Sequence, residues 1–186
     1  MQIEALKIKG TYHIHFEPRK DERGHFMRIY DQQTFEQHGL QVNWLQENHV
    51  YSAKKNTLRG LHMQVPPYAE TKLLRCVSGA VLDVFVDLRE SSPTFGQWDS
   101  VKISAEEQNM VYVPKGFAHG YLCLTDNTEV SYRVDSVYHP QSERAIRWDD
   151  PQLAIEWGVD EPIVSEKDQN APSFQDFIDS SQTIKI

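Results

Sequence analysis

Short apolar runs, many alternating with polar residues, recur along most of this chain, and turn residues separate them. Period-two alternation is the mark of strands with one face buried. Ala5, Leu6, Ile8, Tyr12, Ile14 and Phe16 carry it through residues 1–17, and 18–24 read as a turn. His25–Tyr30 reads as the next strand. Asp31 as N-cap, Gln32–His38 and then Gly39 predict a short helix closed by a glycine. Val42–His49 reads as a strand with Trp44, Gln46 and Asn48 on one face. Further strands are expected over 58–64, 72–77, 80–88, 98–103, 110–113, 121–124, 128–134 and 146–148, with a short helix at 174–178. Many short strands with turn signals roughly every 8–12 residues predict an antiparallel sandwich or barrel, and a double-sheet jelly roll suits this length.

The stretch that organises the rest is Leu58-Arg59-Gly60-Leu61-His62-Met63-Gln64, a Pro-Pro loop, then Lys72-Leu73-Leu74-Arg75. Strict alternation puts Arg59, Leu61 and Met63 on one face and Gly60, His62 and Gln64 on the other. A lone strand histidine reads as a core residue satisfied by one hydrogen bond. Here Arg59, Lys72 and Arg75 set three cations close to it, which points to a base beside an anion-binding wall. His119 falls in a Gly-Phe-Ala-His-Gly turn, Tyr132 lies mid-strand, and Asp168 sits in a polar loop. Taken singly, Tyr132 reads as a core tyrosine and Asp168 as a solvated acid.

Composition narrows the field. The chain has 186 residues, 27 acidic against 19 basic and a net charge of −8. That suits one domain, and the lack of a long basic run argues against nucleic acid as a partner. Cys76 and Cys123 lie in apolar strands without a CxxC pattern, which predicts free buried thiols in a reducing cytoplasm. The start MQIEALKIKG is too polar for a signal peptide, and no apolar run has membrane-spanning length. A metal site is not expected: His62 lacks a His-x-His partner, Glu70 falls in a loop, and two histidines are too few ligands. His13 and His15 read as surface residues.

Seven motifs occur in order: Asp21-x-Arg-Gly-x-Phe26, Leu58-Arg-Gly-Leu-His62, Lys72-Leu73, Val86-Asp-Leu-Arg89 with Ser92-Pro-Thr-Phe-Gly96, Pro114-x-Gly-Phe-Ala-His-Gly120, Ile146-Arg-Trp-Asp-Asp-Pro151 and Ser165-x-Lys-Asp168. Together they closely resemble the dTDP-4-dehydrorhamnose 3,5-epimerase family, over Asp21 to Asp168. The resemblance implies an all-β, cupin-type double-stranded β-helix (jelly roll) with a few short peripheral helices. It implies a single domain over 1–186, with N-terminal strands 1–50 shared across a homodimer and 149–186 as a C-terminal extension. It implies no metal and no cofactor. The implied substrate is a nucleoside-diphospho-4-keto-6-deoxyhexose, epimerised at C3, C5 or both for deoxysugar and surface-polysaccharide biosynthesis.

The same resemblance assigns roles. His62 would be the base, Asp168 its orienting partner, Lys72 the cation at the C4 oxygen, and Tyr132 the proton donor on the opposite face. Arg59 and Arg23 would contact the diphosphate. Phe26, Arg28, Gln46, Asn48, His119 and Tyr138 complete the expected substrate-binding set. The chain departs from the family at Arg28, where an acid is usual. An arginine only donates, so it suits the N3 acceptor of cytosine better than the N3 donor of thymine, which raises CDP as the nucleotide. Met63, the 67–71 loop, Ser131 and Arg133 depart as well and leave open whether one or both carbons are inverted. Two other readings stand beside this one: a 3,4-ketoisomerase of the same fold, and a non-catalytic sugar-binding cupin.

Overall fold

The structure, a computed structural model, describes residues 1–180 and Ile184. The remaining residues of the expected C-terminal extension, 181–183 and 185–186, lie outside the described residues. The chain begins with β1 (Gln2–Ala5) and β2 (Tyr12–His15), then a hairpin of β3 (Arg19–Asp21) and β4 (Gly24–Phe26). Helix α1 (Gln32–Gln37) follows, then β5 (Gln46–Ser52), β6 (Thr57–Gln64), β7 (Lys72–Ser78), β8 (Ala80–Asp87) and β9 (Trp98–Ser104). Next come β10 (Asn109–Val113), β11 (Phe117–Cys123), β12 (Thr128–Val134), β13 (Glu143–Ala145), β14 (Ile163–Val164), α2 (Glu166–Gln169) and α3 (Phe174–Asp179).

Two sheets form a jelly-roll sandwich. One runs β1-β2-β10-β7-β12-β5, the other β13-β6-β11-β8-β9, with β14 added parallel to β6. Between them lies an apolar layer built from both sheets, including Leu74, Val111 and Val130 on one side and Val81, Phe85, Ile103 and Cys123 on the other. The outer face of the first sheet carries Ile14, Leu73, Met110 and Tyr112 and is covered by Phe35 of α1 and Leu40. The outer face of the second carries Leu58, Leu61, Val84, Val86 and Leu122. It is covered by the C-terminal residues Leu153, Trp157, Phe174 and Phe177. Burial on both faces explains why 80–88 reads as a nearly continuous apolar run rather than an alternating one. Cys76 and Cys123 are free and buried. Among the described residues, no helix is long and apolar enough to cross a membrane.

Several local expectations change. The strand expected over His25–Tyr30 stops at Phe26. Met27, Ile29 and Tyr30 then leave the hairpin as irregular chain and pack on the Phe35 cluster. The strand expected from Val42 starts only at Gln46, because Val42 and Trp44 also turn to that cluster. Helix α1 forms as expected, with the Thr34 amide donating to the Asp31 carboxylate at 3.0 Å and Gly39 beyond the end at φ +67°. His119 is not in a turn: the turn ends at Gly116 and His119 lies inside β11. Asp168 is not a loop acid: it is buried, in the one-turn helix α2 capped by Ser165. Strand 146–148 is replaced by β13, although Ile146 still exchanges backbone hydrogen bonds with Leu61.

The alternation of β6 also breaks. Leu58, Leu61 and Met63 share the covered outer face, whereas Arg59 and His62 both line the space between the sheets. The phase slips at Gly60, opposite a register shift in β11 between His119 and Tyr121. Gly60 has φ +123°, and a Cβ there would lie 2.5 Å from the Gly120 Cα. Only glycines on both strands permit this crossing, and it turns Arg59 and His62 to the same side.

Candidate active site

A cavity of about 430 Å³ opens between the sheets. Its lining includes Arg59, His62, Lys72, His119, Tyr132 and Asp168. A second cavity of about 200 Å³ shares His62, Lys72 and Tyr132 and adds Gln46, Asn48 and Tyr138. These three shared side chains come from β6, β7 and β12, whose backbones are fixed by ladder pairing.

His62 Nε2 lies 2.6 Å from Asp168 Oδ1, and the Gly60 amide donates to Asp168 Oδ2 at 3.3 Å. The Asp168 side chain is 5 % exposed and that of His62 32 %. Burial alone would raise the Asp168 carboxyl. The hydrogen bond and charge of His62, with the Gly60 amide and Ser165, outweigh it and hold the group below the usual range. An ionised Asp168 fixes the proton on Nε2, so Nδ1 is the nitrogen left to accept one.

Across the cavity, burial pushes the Tyr132 phenol up. Glu70 pushes it further, and Arg59 opposes the shift. The phenol therefore keeps its proton at neutral pH. Lys72 is buried, with Nζ 3.3 Å from Glu70 Oε1. Arg59 donates to Ser52 Oγ and the Tyr51 carbonyl. His119 faces His62 across the β6–β11 ladder and is paired with buried Asp83 at 2.9 Å. Tyr138 donates its amide to Gln46 Oε1 and its hydroxyl to Glu143, which also pairs with Lys167. An imidazole, an ammonium group and a protonated phenol thus surround one space, an arrangement chemically able to abstract a proton next to a carbonyl.

The family model for dTDP-4-dehydrorhamnose 3,5-epimerase matches residues 5–176. The chain belongs to the dTDP-4-dehydrorhamnose 3,5-epimerase family. It is 48 % identical to the enzyme of that name from Shigella flexneri, covering 94 % of this chain and 97 % of that one. It superposes on the Legionella pneumophila epimerase in complex with dTDP-4-keto-L-rhamnose with a TM-score of 0.92 and 36 % identity, covering 100 % of this chain and 98 % of the other. It superposes on a 3'-monoepimerase from Streptomyces bikiniensis in complex with dTDP-quinovose with a TM-score of 0.91 and 34 % identity, covering 98 % and 92 %. Such structural relatives carry the cupin-type jelly roll, and the two sheets described above are that fold.

The family motifs do not all converge in one chain. Arg23 is 85 % exposed and paired with Asp21 on the β3–β4 hairpin, and Phe26 is 64 % exposed. Arg28 lies 3.5 Å from Asp31 and lines a different cavity with Phe26. None of the three lines the space around His62. Conversely, three site residues escaped the sequence reading. Glu70 reads as a loop acid, and Gln64 and Tyr121 only as residues of strands. Tyr121 lines the larger cavity with a buried hydroxyl that has no hydrogen-bond partner among the described residues. The available signal was position: Gln64 and Glu70 bracket the Pro-Pro loop between the two strands that carry His62 and Lys72.

Proposed function

We propose that this chain epimerises a dTDP-4-keto-6-deoxyhexose at C3 and C5 through an enolate, supplying an activated deoxysugar for polysaccharide biosynthesis. His62 Nδ1 removes the proton from the carbon next to the C4 ketone. The C–H electron pair moves into the ring, and the C4 oxygen takes the negative charge beside the Lys72 ammonium. Tyr132 then delivers its phenolic proton to the opposite face, which inverts the centre and reforms the ketone. Exchange with solvent returns the proton from the imidazolium and restores the phenol. A positioned base accounts for roughly 10²–10⁴-fold of the rate. What supports the reading is the His62–Asp168 pair at 2.6 Å, lining a common cavity with Lys72 and Tyr132.

Arg59 and His119 hold the diphosphate in this reading. A second copy of the chain supplies Arg23, Phe26 and Arg28, since none of the three lines the chain's own cavity around His62. The names of the relatives favour dTDP, whereas Arg28 keeps CDP as the second reading. The test is a proton NMR time course in D2O with dTDP- and CDP-linked 4-keto-6-deoxyglucose. Deuterium entering at C3 and C5 with the C4 ketone retained is the expected result, and His62→Ala removes it. Migration of the ketone to C3 would replace this reading by a ketoisomerase, and absence of exchange by a sugar-binding cupin. Clear preference for dTDP ends the argument from Arg28.

A further inference from the structure

Glu70 stands inside the reaction space without a part in the scheme above. Its side chain is 15 % exposed, Oε1 lies 3.3 Å from Lys72 Nζ, and Oε2 accepts from Gln64 Nε2 at 2.9 Å. Gln64 is itself buried and fixed at both ends. Its Oε1 accepts from the His139 amide at 2.7 Å, and its Nε2 also reaches the carbonyls of Tyr68 and Val137. On the other side of Glu70, the Thr71 amide donates to buried Asp135 at 2.7 Å. The carboxylate therefore sits on a loop pinned from both sides, next to a flexible lysine that has four methylenes to place.

We propose that Glu70 is the positioning residue for the Lys72 ammonium, holding Nζ on the wall shared with His62 and Tyr132 where the enolate oxygen forms. The inference deepens the epimerase reading and rests on it for its kinetic part. Without the carboxylate, Lys72 has several rotamers to choose from, and a misplacement of about 1 Å costs on the order of 100-fold in rate. The charge has a second effect. Arg59 favours the phenolate form of Tyr132, and Glu70 opposes that pull from a cavity it shares with the phenol, Lys72 and His62. Tyr121, His119, Lys167 and Asp168 in the larger cavity, and Tyr138 and Glu143 in the smaller, are the other titratable groups that line the space with Tyr132. The carboxylate thus serves two ends that a neutral amide would separate: it places the ammonium, and it keeps the opposite-face donor loaded with its proton.

Glu70→Ala, Glu70→Gln and wild type are compared in the same D2O exchange assay. Alongside, alkaline ultraviolet titrations are run with and without Tyr132→Phe, so that the difference isolates this phenol. In Glu70→Ala, kcat falls about 100-fold with KM within about threefold. Glu70→Gln, which still accepts a hydrogen bond from Lys72, recovers at least tenfold of that loss. It also moves the Tyr132 titration and the alkaline limb of kcat to lower pH. Glu70→Ala kinetics within threefold of wild type, or a Tyr132 titration unmoved in Glu70→Gln, overturns the proposal. A wild type that exchanges nothing sinks the epimerase reading and the kinetic role together, while the phenol titration still reads the charge effect alone.

Discussion

An imidazole with one nitrogen tied to a buried carboxylate has a single nitrogen left for chemistry. Asp168→Asn keeps the shape but lets the amide stabilise either tautomer, and it no longer supports the imidazolium. The expected result is a kcat lower by about 10²–10⁴-fold with substrate binding nearly kept, measured by C3 and C5 exchange. The same contact has a pH signature. The folded Asp168 carboxyl is depressed, so its contribution to stability is complete above its unfolded value of about 3.9 and is lost as pH falls through the folded one. Urea unfolding midpoints of wild type should therefore fall more steeply below about pH 4 than those of Asp168→Asn. Little of this was legible from Asp168 itself. Its local neighbours are polar, and the partner that buries it lies on a strand far away in the chain. Only the Ser-x-Lys-Asp motif marked it. Lys72, by contrast, was readable from its position one strand from His62.

Alternation gave the strands, and it failed where two strands come closest. Period two separates Arg59 from His62, yet both reach the cavity, because the phase slips at Gly60. A sequence shows a glycine in a strand but not which backbone it meets. Gly60→Ala places a Cβ 2.5 Å from the Gly120 Cα and 2.8 Å from the His119 carbonyl, at φ +123°. It should cost about 2–5 kcal/mol in urea unfolding and abolish exchange in the fraction that remains folded. Gly24→Ala is the matched control: φ is +127° but nothing lies within 4 Å of the added methyl. It should cost about 1–2 kcal/mol from backbone strain alone. Helix boundaries read well at α1, where cap and glycine lie in the sequence. They read poorly at α2, a single turn whose Ser165 cap resembles any polar loop.

At the scale of the molecule, the two sheets were legible because turn residues punctuate every strand, whereas the destination of the β3–β4 hairpin was not. That hairpin exposes Arg23 and Phe26, residues the family motif ties to the substrate, away from the chain's own cavity. If it completes the site of a second copy, two defective chains can repair each other. Co-expressed His62→Ala and Arg23→Glu should give about a quarter of wild-type activity, since half the dimers are mixed and each of those has one intact site. Activity no higher than that of the better variant alone would show that the hairpin serves no partner.

The C-terminal segment does two things at once. Trp157, Phe174 and Phe177 roof the outer face of the second sheet, and between them α2 brings Asp168 to His62. During synthesis both arrive after the strands they complete. A nascent chain released before this segment has an uncovered apolar sheet and an untethered imidazole. A product truncated before Trp157 should therefore lack exchange activity and bind chaperones through the uncovered sheet.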